Sequence, residues 1–217
     1  LTIQRFLFVR HGETIANQQQ LAYGITESPL NSKGIAQAHS TGERLATWTS
    51  DYHRILTSPL GRAQETAAII NEYLKLPLEI NPGLIECDLG SWEGITYESM
   101  FNYQYAAKSI QDDHFCEHGG ESPETVYNRV SDCLEQMKSC YPDENLIFVS
   151  HGSAIAHGMA AIMGTRPKFG YQYLMHNGAI TEVALQPEPE LLMLNDFSHL
   201  PEALKTPKDR PDNVQRA

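Results

Sequence analysis

Twice in this chain an apolar run ends in a polar residue, a histidine and a glycine. The two stretches are Phe6-Leu7-Phe8-Val9-Arg10-His11-Gly12 and Leu146-Ile147-Phe148-Val149-Ser150-His151-Gly152. Continuous apolar runs of this length read as strands buried on both faces, the pattern of a parallel sheet covered by helices. The glycine lets the chain turn tightly as it leaves the strand. In open α/β sheets the ligand crevice lies at the carboxyl ends of the strands. A single histidine there is ordinarily a hydrogen-bonded structural residue. Two can face one crevice if their strands are neighbours, about 4.8 Å apart.

The remaining chain alternates in the same way. Strands are expected over 3–9, 53–58, 78–80, 145–150, 177–185 and 191–194. Helices are expected over 14–20 with Thr14 as N-cap, 32–48, 59–74, 96–107, 122–140 behind Ser122-Pro123, and 153–163, with a helical turn over 168–175. Residues 81–96 form an irregular stretch carrying Glu86, Asp88 and Glu93; long loops within compact domains are usually functional. This order predicts an α/β fold: one domain over 1–200, a three-layer α/β/α sandwich with a mostly parallel sheet. A proline-rich, charged arm or tail over 201–217 is expected to follow.

Charge restricts the partners. A formal net charge of −11 argues against nucleic acid and anionic membrane surfaces, and no apolar run reaches the roughly 18 residues of a membrane span. Cys87, Cys116, Cys133 and Cys140 form no CxxC pair, so reduced thiols and a cytoplasmic location are expected. An anionic substrate would have to be gripped locally. Arg10 is placed for that, and so is Arg62 in the first turn of a helix, where a cation opposes the helix dipole. Guanidinium groups match phosphate in a two-pronged way. Two arginines, two histidines and adjacent helix N-termini with free N–H groups describe a phosphoryl site.

These residues also carry a family likeness. Arg10-His11-Gly12-Glu13-Thr14 resembles the RHG signature of the histidine phosphatase superfamily, which includes cofactor-dependent phosphoglycerate mutases. The resemblance continues through Asn17, Ser28-Pro29-Leu30-Asn31 to Gly34, the Arg62 helix, Leu84-Ile85-Glu86, Gly90, Trp92-Glu93-Gly94, Gly120-Glu121-Ser122 and Ser150-His151-Gly152. It implies a phosphoglycerate mutase-like fold with His11 as nucleophile, becoming phosphohistidine. Arg10, Arg62 and His151 would hold the non-bridging oxygens, and Glu86 would be the proton donor, with Asp88 as the runner-up acid. Gly12, Asn17, Gly152 and Ser153 are candidate substrate-binding residues; Tyr23, Gly24, residues 97–120 and the chain after Leu191 are expected at the pocket rim. The implied mechanism requires no metal or other cofactor.

Between Cys87 and Ser150 the only cations are Lys108, Arg129 and Lys138. Mutases of the family carry a longer, more basic insertion there, so a phosphatase acting on a small phosphorylated metabolite is favoured. A phosphoglycerate mutase is the alternative and a non-catalytic phospho-ligand module the second. His114, Cys116 and His118 could offer metal ligands only on an extended strand, and lining of a substrate entrance is the better reading. The aromatic set Tyr97, Phe101, Tyr103 and Tyr105 reads as a packed helix face and lid. A homodimer is compatible with the sequence.

Overall fold

The protein was analysed as a computed structural model, which describes residues 3–48 and 51–205. Three strands share one alternation and so create two cores. In β1 (Arg5–Arg10) Phe6 and Phe8 face one side, in β4 (Leu146–Ser150) Leu146 and Phe148 join them, and in β2 (Arg54–Thr57) so does Leu56. Leu7, Val9, Ile147, Val149 and Ile55 face the opposite side. The first core is covered by α6 (Pro123–Cys140) through Val126, Val130, Cys133, Leu134 and Met137, and by α7 (Gly152–Ile162). The second is covered by α2 (Ser32–Ala46) and α3 (Gly61–Leu74), the latter through Ala63, Ala67, Ile70 and Leu74. Helix, sheet and helix make the expected three layers.

The sheet order is β3-β2-β4-β1-β5-β6, with β3 spanning Leu78–Ile80, β5 Ile180–Ala184 and β6 Glu190–Asp196. β1, β2, β3 and β4 run parallel, while β5 and β6 form an antiparallel edge beside β1. The two histidine-bearing strands are direct neighbours, paired Arg10 to Ser150, and the amide of His11 donates to the Ser150 carbonyl at 3.0 Å. β2 lies on the far side of β4, so Ser58 follows it at the same level: its amide donates to the Val149 carbonyl at 3.0 Å.

Three expectations need correction. Residues 96–107 are not one helix. α4 (Tyr97–Asn102) and α5 (Tyr105–Gln111) are separated at Gln104, which adopts a left-handed φ of 56°. The bend lets Tyr103 stack on Trp92 at 4.9 Å while Tyr105 meets the same ring edge-on at 6.1 Å. The strand expected from Asn177 starts at Ile180, because Gly178 (φ 72°) closes a turn in which the Ala179 amide donates to the His176 carbonyl. The helix expected over 14–20 shrinks to α1 (Ile15–Gln18), closed by a capping box between Thr14 and Asn17.

Of the expected arm, residues 206–217 lie outside the described residues. Its beginning is docked. A 3-10 turn over Glu202–Leu204 lies against α2, where Gln37 Nε2 donates to the Leu204 carbonyl (2.6 Å) and Lys33 Nζ to the Lys205 carbonyl (2.8 Å).

Candidate active site

The ends of β1, β4 and β2 deliver His11, His151 and Ser58 side by side. The two imidazoles stand 5.0 Å apart, centroid to centroid, and both are buried. Their surroundings differ. His11 Nδ1 faces the Gly12 carbonyl at 2.7 Å. A carbonyl only accepts, so Nδ1 carries the proton and the lone pair resides on Nε2. His151 instead places Nε2 2.6 Å from Ser58 Oγ, and its buried Nδ1 has no partner in the protein. Burial first, then the cations Arg62 and Arg10, hold His11 well below the ordinary imidazole value. For His151 the order is burial, Arg62, His11 and Arg10. Both rings are therefore neutral at neutral pH.

Arg62 is buried, and the ion pair with Glu65 that its position allows does not form. Its Nη1 and Nη2 donate to the carbonyls of Thr26 (3.0 Å) and Gly24 (2.6 Å). Burial lowers its pKa, while Glu86, Glu27 and Glu93 act in the other direction. The Glu93 carboxylate holds the same loop from below, accepting the amides of Gly24, Ile25, Thr26 and Leu89 at 3.0–3.2 Å. Glu27 in turn accepts the amide of Gly61 at the start of α3. A side chain at Gly24 would meet the Cys87 carbonyl at 1.9 Å, which explains the glycine. Arg10 is held by its Nη1 bond to the Met175 carbonyl at 2.6 Å.

Glu86 reaches the same cavity from the loop after β3. Arg129 carries that loop, donating to the carbonyls of Gly83, Ile85 and Glu86 while paired with Glu121. Glu86 Oε1 accepts from the amides of Cys87 (2.8 Å) and Ala154 (2.9 Å), and Oε2 from Ser153 (3.1 Å). The carboxylate thus caps α7. This corrects the expectation that helix N-termini offer free N–H groups. Those of Ser153 and Ala154 go to Glu86, and those of Ile15, Ala16 and Asn17 go to Pro29, Ser28 and Thr14.

Arg10, His11, Asn17, Tyr23, Gly24, Arg62, Glu86, Gly152 and Ser153 all border one cavity of about 1040 Å³. Gly12 does not. Its amide donates to Thr66 Oγ1 (3.1 Å), and its Cα packs on Gly34 so closely that a Cβ would lie 2.3 Å from the Gly34 carbonyl oxygen. Its role is backbone approach. His151 sits behind His11 rather than on the cavity wall. Asp88 also faces elsewhere, its Oδ1 accepting the Gly90 amide at 2.7 Å. Nor do the described residues after Leu191 reach the rim.

The His114-Cys116-His118 segment neither converges nor lines the cavity. His114 is exposed beside Glu124, Cys116 donates to the Gly120 carbonyl, and His118 Nδ1 accepts the Gly120 amide among aromatic rings. Among the described residues no group of three or more His, Cys, Asp or Glu side chains is arranged for a metal ion. No helix among them is long and apolar enough to cross a membrane.

Sequence reasoning missed Ser58, which a comparison of the three parallel strand ends could have exposed. It also missed Asn177, whose Nδ2 donates to the His11 carbonyl at 3.0 Å, and the cavity residues His157, Lys168 and His176. No sequence pattern marks these four.

The sequence profile of the histidine phosphatase superfamily (branch 1) matches residues 6–196. The chain belongs to that superfamily. Histidine phosphatase relatives differ in the reaction their names carry. The uncharacterized phosphatase PhoE of Bacillus subtilis is 38% identical over 160 residues, covering 74% of this chain and 78% of PhoE. A probable phosphoglycerate mutase GpmB from Enterobacter is 30% identical over 88% of this chain and 93% of its own length. Among solved structures, a mycobacterial glucosyl-3-phosphoglycerate phosphatase complexed with VO3 superposes with a TM-score of 0.79 at 25% identity, covering 88% of this chain and 99% of the other. Phosphatase or mutase, the superfamily's chemistry is phosphoryl transfer.

Proposed function

We propose that this histidine phosphatase is a metal-independent phosphomonoesterase working through a phosphohistidine at His11. The observation that carries the reading is the His11 Nδ1 bond to the Gly12 carbonyl, which leaves the Nε2 lone pair on a neutral ring between Arg10 and Arg62. Nε2 attacks phosphorus as the bond to the leaving oxygen breaks, and Glu86 gives that oxygen its proton. Glu86 Oε2 accepts a single amide, so it retains room for this exchange. Water then attacks the phosphohistidine, Glu86 takes back a proton, and the products are an alcohol and inorganic phosphate. Arg10 and Arg62 balance the equatorial charge. The Ser58 hydroxyl fixes the His151 ring through Nε2, and that ring, 5.0 Å from His11, holds the nucleophile in place from behind.

Hydrolysis is preferred to mutase transfer because the cations of the 87–150 segment are engaged elsewhere. Lys108 pairs with Glu117, Arg129 with Glu121 and Lys138 with Glu135. A second phosphate would find little to hold it. The test is phosphate release from p-nitrophenyl phosphate in EDTA without 2,3-bisphosphoglycerate, with trapping of an acid-labile phosphoenzyme. Phosphate release with the trapped species is expected; mutase exchange without release would reverse the choice.

A further inference from the structure

We infer that the alcohol half of the substrate is large, uncharged and mainly apolar or aromatic. This rests on the phosphomonoesterase reading and adds a substrate class to it. The cavity of about 1040 Å³ is far larger than a phosphoryl group needs and stands at the upper end of small-molecule sites. Arg10, His11, Arg62 and Glu86 occupy one end. The other end runs between α4–α5 and residues 167–176, walled by Tyr97, Met100, Phe101, Tyr105, Ile110 and Leu174. Phe101 is 52% exposed at this rim, although it lies on a helix otherwise tied to the core through Tyr97 and Met100. Exposed apolar surface continuous with a cavity marks a binding face.

Charge is sparse at this end. Beyond the phosphoryl end, Lys168 is the one described lining residue with a fixed charge. The neighbouring Arg166 is paired with Asp113 at 2.7 Å and lies off the wall. A leaving group with a carboxylate or second phosphate would lose its hydration against a single lysine. A cationic one would find no carboxylate other than Glu86 among the described residues of the wall. A neutral apolar body loses nothing polar on entry and gains from leaving water. Asn102, Gln104 and Gln111 on the wall can bond isolated hydroxyl or amide groups on such a body.

The experiment compares kcat/KM for three esters of primary alcohols, 2-phenylethyl phosphate, glycerol 3-phosphate and 3-phosphoglycerate, in EDTA. Leaving oxygens of one type keep differences in bond breaking small, so the comparison reads binding. The phenylethyl ester should exceed both others by at least tenfold, mainly through KM. Phe101→Lys adds a cation at an exposed position and should lower the phenylethyl to 3-phosphoglycerate ratio at least fivefold. Equal or greater kcat/KM on either small polar ester would overturn the substrate class and leave the phosphomonoesterase standing. An unchanged ratio in Phe101→Lys would overturn the assignment of the α4 rim. If none of the three esters releases phosphate, both readings fall.

Discussion

His11 and His151 leave adjacent parallel strands in the same way and arrive in different surroundings. His11 is tied to its own backbone through Gly12 and borders the cavity; His151 is tied to another strand through Ser58 and sits behind. A carbonyl partner dictates one tautomer, whereas a hydroxyl can donate or accept and so permits either. One strand end thus presents a lone pair of fixed direction, suited to attack on phosphorus. The other presents a ring whose proton position depends on a neighbour. Similar local sequence yields two differently constrained imidazoles because the tautomer is decided by tertiary contacts.

Removing each ring separates those roles. His11→Ala should abolish both turnover and the acid-labile phosphoenzyme, a loss on the order of 10⁴-fold or more in kcat. His151→Ala removes the ring that seats His11 and should lose about 10²-fold through misplacement of the nucleophile, while phosphoenzyme still forms. Rapid-quench trapping tells the two apart, and equal phosphoenzyme yields in both variants would erase the distinction. Ser58→Ala sharpens it. His151 would then have neither nitrogen partnered, so a stability loss of about 1–3 kcal/mol in urea unfolding and a fall in kcat of about tenfold are expected. Ser58→Thr keeps the hydroxyl and should restore kcat, which a purely packing role would not predict.

The smallest expected effect is in pH. Both rings have folded-state pKa values below those of the unfolded chain. Below about pH 6.5 the unfolded chain therefore binds more protons than the folded one, so stability is full above that value and is lost as pH falls through the folded values. His157 and His199, also lowered mainly by burial, add to the slope. Thermal melts between pH 7.5 and 5 should show Tm falling with acidity, and His151→Gln should flatten that fall. An unchanged slope would mean that His151 is not the neutral, buried group described.

Strand and helix order were legible because Phe6–Val9 and Leu146–Val149 are apolar without interruption, and because Ser122-Pro123 announces α6. Arg10, Arg62 and the two histidines were legible as residue types out of place, cations and imidazoles at strand ends and in a first helical turn, whereas the choice of Glu86 and the expected role of His11 came only from the family resemblance. Ser58, Asn177 and the cap made by Glu86 on α7 were not legible. Each depends on which strands are neighbours, and pairing between β2 and β4, whose partners lie 92 positions apart, leaves no local mark. Gly12 was misassigned as a ligand donor for the same reason, since Gly34 across the loop is what forbids a side chain there. The break at Gln104 was invisible because it satisfies aromatic contacts with Trp92 and no helix-breaking residue announces it.

Gln37 joins two distant parts of the chain: its Oε1 accepts the Glu13 amide at 2.8 Å while its Nε2 holds the Leu204 carbonyl. Lys33 spans the same gap, between the Glu13 carboxylate and the Lys205 carbonyl. The segment at 202–205 is therefore wired to a residue two places beyond His11. For anyone handling the protein, shortening the chain ahead of residue 205 is not a neutral trim: it unties one end of the network that seats the loop carrying His11.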